Sequence, residues 1–464
     1  MAEPVGGPPL MPPSAASSTG PRRRLSGSLR WLADGLAVVG PDPDGVIAVA
    51  AAQLPAEPGV VTVVGEVAGH QDWQAVTEAL PALVRPGMAV RLGLSGAGTA
   101  LGPGATPESD VSPAAALSRL LPTDVYAPDG PVLLVPGGTL YAPDGWRRFG
   151  EPGPPDPTVL RHPRPDWERE VDTVARHTSG PLRARSIPAG LWLHRQTTRS
   201  ASASYDDPVY AIPVDDGRPV VVVGRPGLAP PDPRAVRTVL DALDPSLLLT
   251  PYGVPLSLVV DLASELAGRW GRPVEVATGL PSVDDRALVS AAVDPDGQGW
   301  WIPPTSRLRC APGQPPVPID PGPVVAGLVP DGDAFRLGDG WVVEPTAWGL
   351  WVRPPSVGKD HDDVRQRPTD GTRLTILVGL PGQPPPPGVR TLLSGLVARL
   401  TPQQWARTTF APVEVDELLG GGGVPERAHR PQVRPTSAAS RPSTGPVGSS
   451  ARNSRGTSTG DTPE

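Results

Sequence analysis

The chain has 464 residues, 38% of them hydrophobic, with 67 Pro, 54 Gly, a single Cys and a formal net charge of −7. With Cys310 alone, an intramolecular disulfide and a zinc cluster are excluded, so stability has to come from packing. The charge is uneven: residues 1–30 carry four Arg against Glu3, residues 421–464 carry six Arg against Glu426, Asp461 and Glu464, and the acidic middle that remains is unsuited to a nucleic-acid groove.

Residues 1–27 are Pro, Gly and Ser with almost no large apolar side chain, and they are expected to be a disordered basic tail. Arg22-Arg23-Arg24-Leu25 faintly matches a twin-arginine signal, but Arg30 and Asp34 interrupt the apolar segment such a signal needs. Pro, Gly or a charge breaks every apolar run below the length of a membrane span. Cytoplasmic residence is the expectation, with export by a non-classical or type VII route as the alternative.

A first unit is expected over residues 28–160. Val60 to Val64 reads as a buried strand, Asp72 to Val84 as a helix with Trp73, Val76, Leu80 and Leu83 on one face, and Val90 to Leu94 as the next strand. Pro113 to Leu121 is a second helix, and Val125-Tyr126 starts another strand. The turn Ala127-Pro-Asp-Gly130 leads to a hairpin, Val132 to Val135 and Thr139 to Tyr141, ending at Asp144-Gly145-Trp146. Alternating strands and helices with short links imply parallel strands covered by helices.

A linker is expected over 161–185 and a second unit over 186–348, with strands at Val220 to Val223, Leu247 to Thr250 and Val274 to Ala277 and helices at Pro233 to Leu243 and Leu256 to Trp270. Asp294-Pro-Asp-Gly297 is expected to take the place of the Ala127 turn. A partial third unit, 349–418, offers a strand at Leu374 to Val378, a helix at Val389 to Leu400 and a strand near Thr408 to Phe410, before a disordered tail over 419–464.

One segment comes round three times: Val61-Thr-Val-Val-Gly65, Val220-Val-Val-Val-Gly224 and Thr375-Ile-Leu-Val-Gly379, spaced 159 and 155 residues apart. Gly190-Leu-Trp-Leu193 and Gly349-Leu-Trp-Val352 precede the second and third copies, again 159 apart. The copies keep packing residues and share no His, Cys or carboxylate. The fold expected is α/β: tandem repeated units of mostly parallel sheet with flanking helices and β-hairpin appendages, and disordered termini.

The run Arg91-Leu-Gly-Leu-Ser95-Gly-Ala-Gly98, followed by a helix, by Val125-Tyr-Ala-Pro-Asp-Gly130, by the hairpin and by Gly145-Trp-Arg-Arg-Phe149, resembles a caspase-like module of actinobacterial polymorphic-toxin and secreted multidomain proteins. The resemblance covers about 90 residues of the first unit and is weaker in the second. It implies a His/Cys dyad at the C-terminal ends of adjacent parallel strands. Here Gly65-Glu66 stands where that family has His, with His70 the nearest imidazole, and Ser95 stands where it has Cys. The second unit has Arg225 and Thr250-Pro251 at these places, and the third has Leu380 and Thr409-Phe410.

Gly93-Leu-Ser-Gly-Ala97 nearly fits a nucleophile elbow, for which Asp110 and His162 stand in the right order but in loop-like sequence. Gly93, Gly96 and Gly98 lack the spacing of a phosphate loop. Lys359-Asp-His-Asp-Asp363 has ligand types but no element to fix them, and reads as a solvated linker. His162, His177 and His429 sit beside Pro or Arg and read as surface residues. Trp146, Trp300, Trp301, Trp341, Trp348 and Trp351 read as packing the hairpins, with a partner-binding surface as the sharper alternative.

The expected function is therefore a non-catalytic scaffold or protein-binding protein, a pseudoenzyme built from degenerate caspase-like units, with another protein as partner. No cofactor, metal, nucleic acid or membrane span is expected. The alternative is a serine-dependent hydrolase with Ser95 as nucleophile and His70 as base.

Overall fold

The computed structural model describes residues 24–413, except 27–28, 34, 43, 68, 101–110, 122, 151–158, 197–203, 244–245, 285–286, 298–299, 322–326, 339, 348, 358–360, 366, 368–372 and 384–387. The tail expected over 419–464 lies outside these residues. Of the tail expected over 1–27, only Arg24–Ser26 is described.

The first sheet is built from β1 (Arg24–Ser26), β2 (Leu29–Ala33), β3 (Leu36–Val39), β4 (Val60–Gly65), β5 (Ala89–Gly93), β6 (Val125–Pro128) and, after the β7 (Leu133–Val135) and β8 (Thr139–Tyr141) hairpin, β9 (Trp146–Phe149). Its order is β1-β2-β3-β4-β5-β6-β9, with β3 to β6 parallel and the outer strands antiparallel. Helix α1 (Val46–Ala51) precedes β4, α2 (His70–Leu83) joins β4 to β5, and α3 (Pro113–Leu120) leads to β6. Ser112 Oγ accepts the Ala115 amide and Pro113 fills the first helical turn, which together fix where α3 starts. One sheet face buries Val61, Val63, Val90 and Leu92 against Trp73, Val76 and Leu80 of α2 and Ala114 and Leu117 of α3. At ~1.5–3 kcal/mol for each fully buried large apolar side chain, this layer supplies what a disulfide does elsewhere.

The hairpin extends to a three-stranded sheet, β10-β8-β7, with β10 (Arg161–His162). Period-two alternation gives it two apolar faces. Leu134 and Leu140 pack on the first sheet with Leu36, Val38, Val64 and Trp146. Leu133, Val135 and Tyr141 pack on the second sheet with Trp192, Val220 and Val222.

The stretch 161–185 carries β10, α4 (Glu168–His177) and the start of β11 (Leu182–Ile187), and its Trp167, Val171 and Leu182 join the second core. The second sheet continues with β12 (Gly190–Arg195), β13 (Val220–Val223), β14 (Leu248–Pro251) and β15 (Val274–Ala277), crossed by α5 (Pro233–Leu240) and α6 (Leu256–Trp270). A second appendage, β16 (Leu280–Asp284), β17 (Ala287–Val293) and β18 (Trp300–Trp301), comes before β19 (Thr305–Cys310) and β20 (Val317–Pro321). The order is β11-β12-β13-β14-β15-β19-β20, with β12 to β15 parallel. Asp294-Pro-Asp-Gly297 does not take the place expected of it. Asp129-Gly130 directly follows β6, whereas the β16–β17 hairpin intervenes between β15 and the Asp294 turn.

The third sheet has the order β21 (Val329–Asp331), β22 (Ala334–Gly338), β23 (Trp341–Thr346), β24 (Gly349–Arg353), β25 (Leu374–Val378) and β26 (Thr408–Pro412), parallel from β24 to β26. Its helices are α7 (Asp362–Arg365), α8 (Val389–Val397) and α9 (Pro402–Arg407), the last opened by a capping box of Thr401 and Gln404. Ala292 and Trp301 of the second appendage pack into the third core. Arg407 grips both oxygens of Asp294 at 2.7 and 2.6 Å, tying α9 to the second unit's turn.

The recurrent segments fall in one register. Gly190 lies opposite Val220 and Gly349 opposite Thr375, while Leu36 opposite Thr62 continues the same pairing in the first sheet. A Cβ on Gly190 would lie 2.3 Å from the Val220 carbonyl oxygen, so this close approach admits no side chain. Among the described residues no helix is long and apolar enough to cross a membrane.

Candidate functional site

Parallel sheets present their chemistry where strands end in loops, at the carboxyl edge. In the first sheet that edge carries Ser95 just after β5 and His70 at the start of α2, both exposed. Ser95 Oγ accepts the Val132 amide at 3.1 Å. Its turn is sewn to the loop after β6, with the Gly96 amide donating to Gly130 and the Gly98 amide to Pro128, each at 2.8 Å. Residues 94–100 are turns and bends, so no helix starts behind Ser95 as a nucleophile elbow requires. Among the described residues no hydrogen bond joins Ser95 to an imidazole. Asp110 lies outside the described residues.

A cavity of about 480 Å³ opens at this edge, lined by Gly65, Gly93, Val132, Leu134, Tyr205 and Tyr210 among others. Asp206 and Asp207 are the charged groups in its lining, which contains no His, Lys or Arg among the described residues. It can enclose an apolar group, and its described lining offers no imidazole.

In the other two sheets an indole closes the same edge. Trp192 Nε1 donates to the Gly224 carbonyl at 2.7 Å and Trp351 Nε1 to the Gly379 carbonyl at 2.9 Å, both rings buried. The register makes these one device used twice, with Ala37 at its place in the first sheet. Gly224 has φ +97° and a Cβ there would lie 2.4 Å from Val254 Cγ1, so the strand can turn beneath the indole only with glycine. The guanidiniums of Arg225 over Trp192, and of Arg353 and Arg365 over Trp351, stack at 5.4 Å.

The remaining reactive types are placed for structure. Cys310 is buried and its thiol is pushed up to about 11 by burial, far from nucleophilic. His194 is buried on Trp192, and burial holds it below its ordinary pKa. His177 is exposed, and His429 lies outside the described residues. Of the 359–363 cluster, Asp362 starts α7 and pairs with Arg365, and His361 stands edge-on to Trp351; among the described residues no group of three or more His, Cys, Asp or Glu could hold a metal ion. Trp146, Trp301 and Trp351 are buried.

No family model, curated protein or solved structure matches this chain.

A second concave region lies on the sheet face away from α2 and α3, toward the amino ends of β4 and β5. Two cavities of about 460 and 430 Å³ share Glu57, Arg91, Val159 and His162. Arg91 alternates with Val90 and Leu92, which face the helices, so its guanidinium is forced onto this opposite face. It is 7% exposed; Nη1 lies 2.7 Å from Glu57 Oε2, and buried Nε has no hydrogen-bond partner. His162, expected at the surface, instead stands edge-on to Trp146 at 4.9 Å with Nε2 buried and unpartnered. Burial, then the charges of Arg91 and Arg164, lower its pKa to about 3, so the ring is neutral at ordinary pH. The neighbouring Arg161 and Pro163 suggested a loop. The fold instead makes residue 162 a strand residue of β10, paired with Leu140.

Proposed function

We propose that this chain is a non-catalytic protein-binding protein, assembled from duplicated units that resemble a caspase-like module without its dyad. The observation that carries this reading is the strand-end cavity of the first sheet, whose described lining is apolar side chains and two aspartates. The indole-to-carbonyl bonds of Trp192 and Trp351 support the same reading, because they fill the corresponding edges of the other sheets with packing. Such a cavity suits an apolar side chain of a partner segment, with Asp206 and Asp207 favouring a basic neighbour on that segment.

Random-peptide display on the native chain and on Ala211→Trp, which fills the cavity from its exposed rim, tests the reading. Peptides pairing an apolar with a basic residue are expected on the native chain and not on the filled one. Equal recovery on both, or none on either, would remove the strand-end cavity as the binding site.

A further inference from the structure

We propose that the crevice around Arg91 and His162 binds a small organic carboxylate with an apolar body, whose oxygens take the open edge of the Arg91 guanidinium. This site lies on a different part of the first sheet from the strand-end cavity and stands independently of it. A guanidinium is a planar fork matched to a two-oxygen acceptor. Glu57 occupies the Nη1 side of Arg91, leaving Nε buried and without an acceptor. Native proteins leave few buried donors unsatisfied, and the side chain that carries this one lines both cavities.

His162 supplies the second point. Its neutral ring has one unpartnered nitrogen, Nε2, which in one tautomer donates to the ligand's second oxygen. Apolar side chains make up much of the rest: Leu36, Leu54, Leu140 and Val159 in one half, where Thr62 adds a hydroxyl, and Tyr126 and Trp146 in the other. Each half falls within the size of small-molecule sites, ~300–1,000 Å³. The bordering charges are Arg164, paired with Glu168 at 3.0 Å, Arg148, paired with Asp124 at 2.8 Å, and Glu57 itself. Glu57 is the group that opposes an anion, and its side chain is 47% exposed and so free to turn into water. A compact, strongly hydrated phosphate would leave the apolar walls uncovered; a carboxylate on a hydrocarbon body covers both.

Hexanoate serves as the probe in isothermal titration calorimetry of the full chain, with hexanamide as the neutral control. Saturable binding of hexanoate is expected, about tenfold or more above hexanamide, since a charge-assisted pair is the discriminating contact. Glu57→Gln should tighten hexanoate about threefold or more by removing a like charge. Arg91→Met should abolish binding; if that variant fails to fold, His162→Phe, which keeps a ring against Trp146, should weaken binding several-fold. The assignment is overturned if hexanoate fails to saturate the native chain and Glu57→Gln, binds a folded Arg91→Met as well as the native chain, or binds no better than hexanamide.

Discussion

Arg161 is the most connected buried charge among the described residues, and replacing it with Met should cost the chain about 4 kcal/mol. Its side chain is 0% exposed. Nε donates to the Pro188 carbonyl at 2.7 Å, Nη2 to Ser186 Oγ and the Ile187 carbonyl at 2.6 Å each, and Nη1 to Glu168 at 3.2 Å and Asp172 at 3.3 Å. The guanidinium also lies 5.3 Å from the Tyr141 ring and 4.8 Å from the Trp167 ring. Breaking a buried pair from one side costs ~3–5 kcal/mol, because uncompensated charge is left behind. Two desolvated ring contacts add ~1 kcal/mol or more. Two effects limit the loss: Met restores most of the apolar contact, and the stranded Glu168 carboxyl can take up a proton. Burial already raises Glu168 above its ordinary value, and the Arg161 charge is the largest force pulling it back down.

Urea unfolding at pH 7, followed by Trp fluorescence and far-ultraviolet circular dichroism, measures the loss against a total of ~5–15 kcal/mol. Because an acid whose folded pKa is raised destabilises above that pKa and ceases to as pH falls below it, the gap between Arg161→Met and the native chain should narrow at pH 5. The triple variant Arg161→Met, Glu168→Gln, Asp172→Asn should recover about half the loss or more, since no charge remains buried. A single variant within about 1 kcal/mol of the native chain would refute the reasoning, as would a triple variant no more stable than the single.

The other predictions rest on separate groups. His162 has a folded pKa lowered to about 3, so its contribution is intact above the unfolded value near 6.5 and is lost as pH falls below it, with a slope approaching ~1.4 kcal/mol per pH unit; His162→Phe should remove that slope from the difference in stability curves. Trp192→Phe and Trp351→Phe should each cost ~1–3 kcal/mol in urea unfolding, because each strands a strand-end glycine carbonyl. Arg407→Ala should raise amide exchange in α9 and β26 while leaving the first two sheets protected, since its two bonds to Asp294 tie that end alone.

Much of the fold was legible in the sequence because apolar runs that are buried on both faces are continuous. Val220 to Val223, Leu256 to Trp270 and Val274 to Ala277 fall on their elements to the residue, and α3 starts at Pro113 as expected. The hairpin between Val132 and Tyr141 was legible from Gly137-Gly138, but its role as a middle layer was not, because Leu134 and Tyr141 read alike whichever sheet they face. The β16–β17 hairpin hid the true place of the Asp294 turn, since Pro-Asp-Gly serves either position. Arg91 and His162 gave no signal. An Arg in a strand and a His before Pro look exposed in isolation, and only the pairing of β10 with β8 buries the ring. The Gly-Leu-Trp repeat was legible as a recurring element, but the indole-to-glycine carbonyl bonds were not, because they depend on the parallel pairing of each Trp strand with the next.

The most direct test of a non-catalytic first unit is the labelling of Ser95 by a fluorophosphonate, compared across the native chain, Ser95→Ala and heat-unfolded protein. With Ser95 Oγ engaged by the Val132 amide and joined to no imidazole among the described residues, the native chain should label no more than Ser95→Ala or the unfolded chain. Labelling that requires both the fold and Ser95 would contradict the account and establish an activated serine.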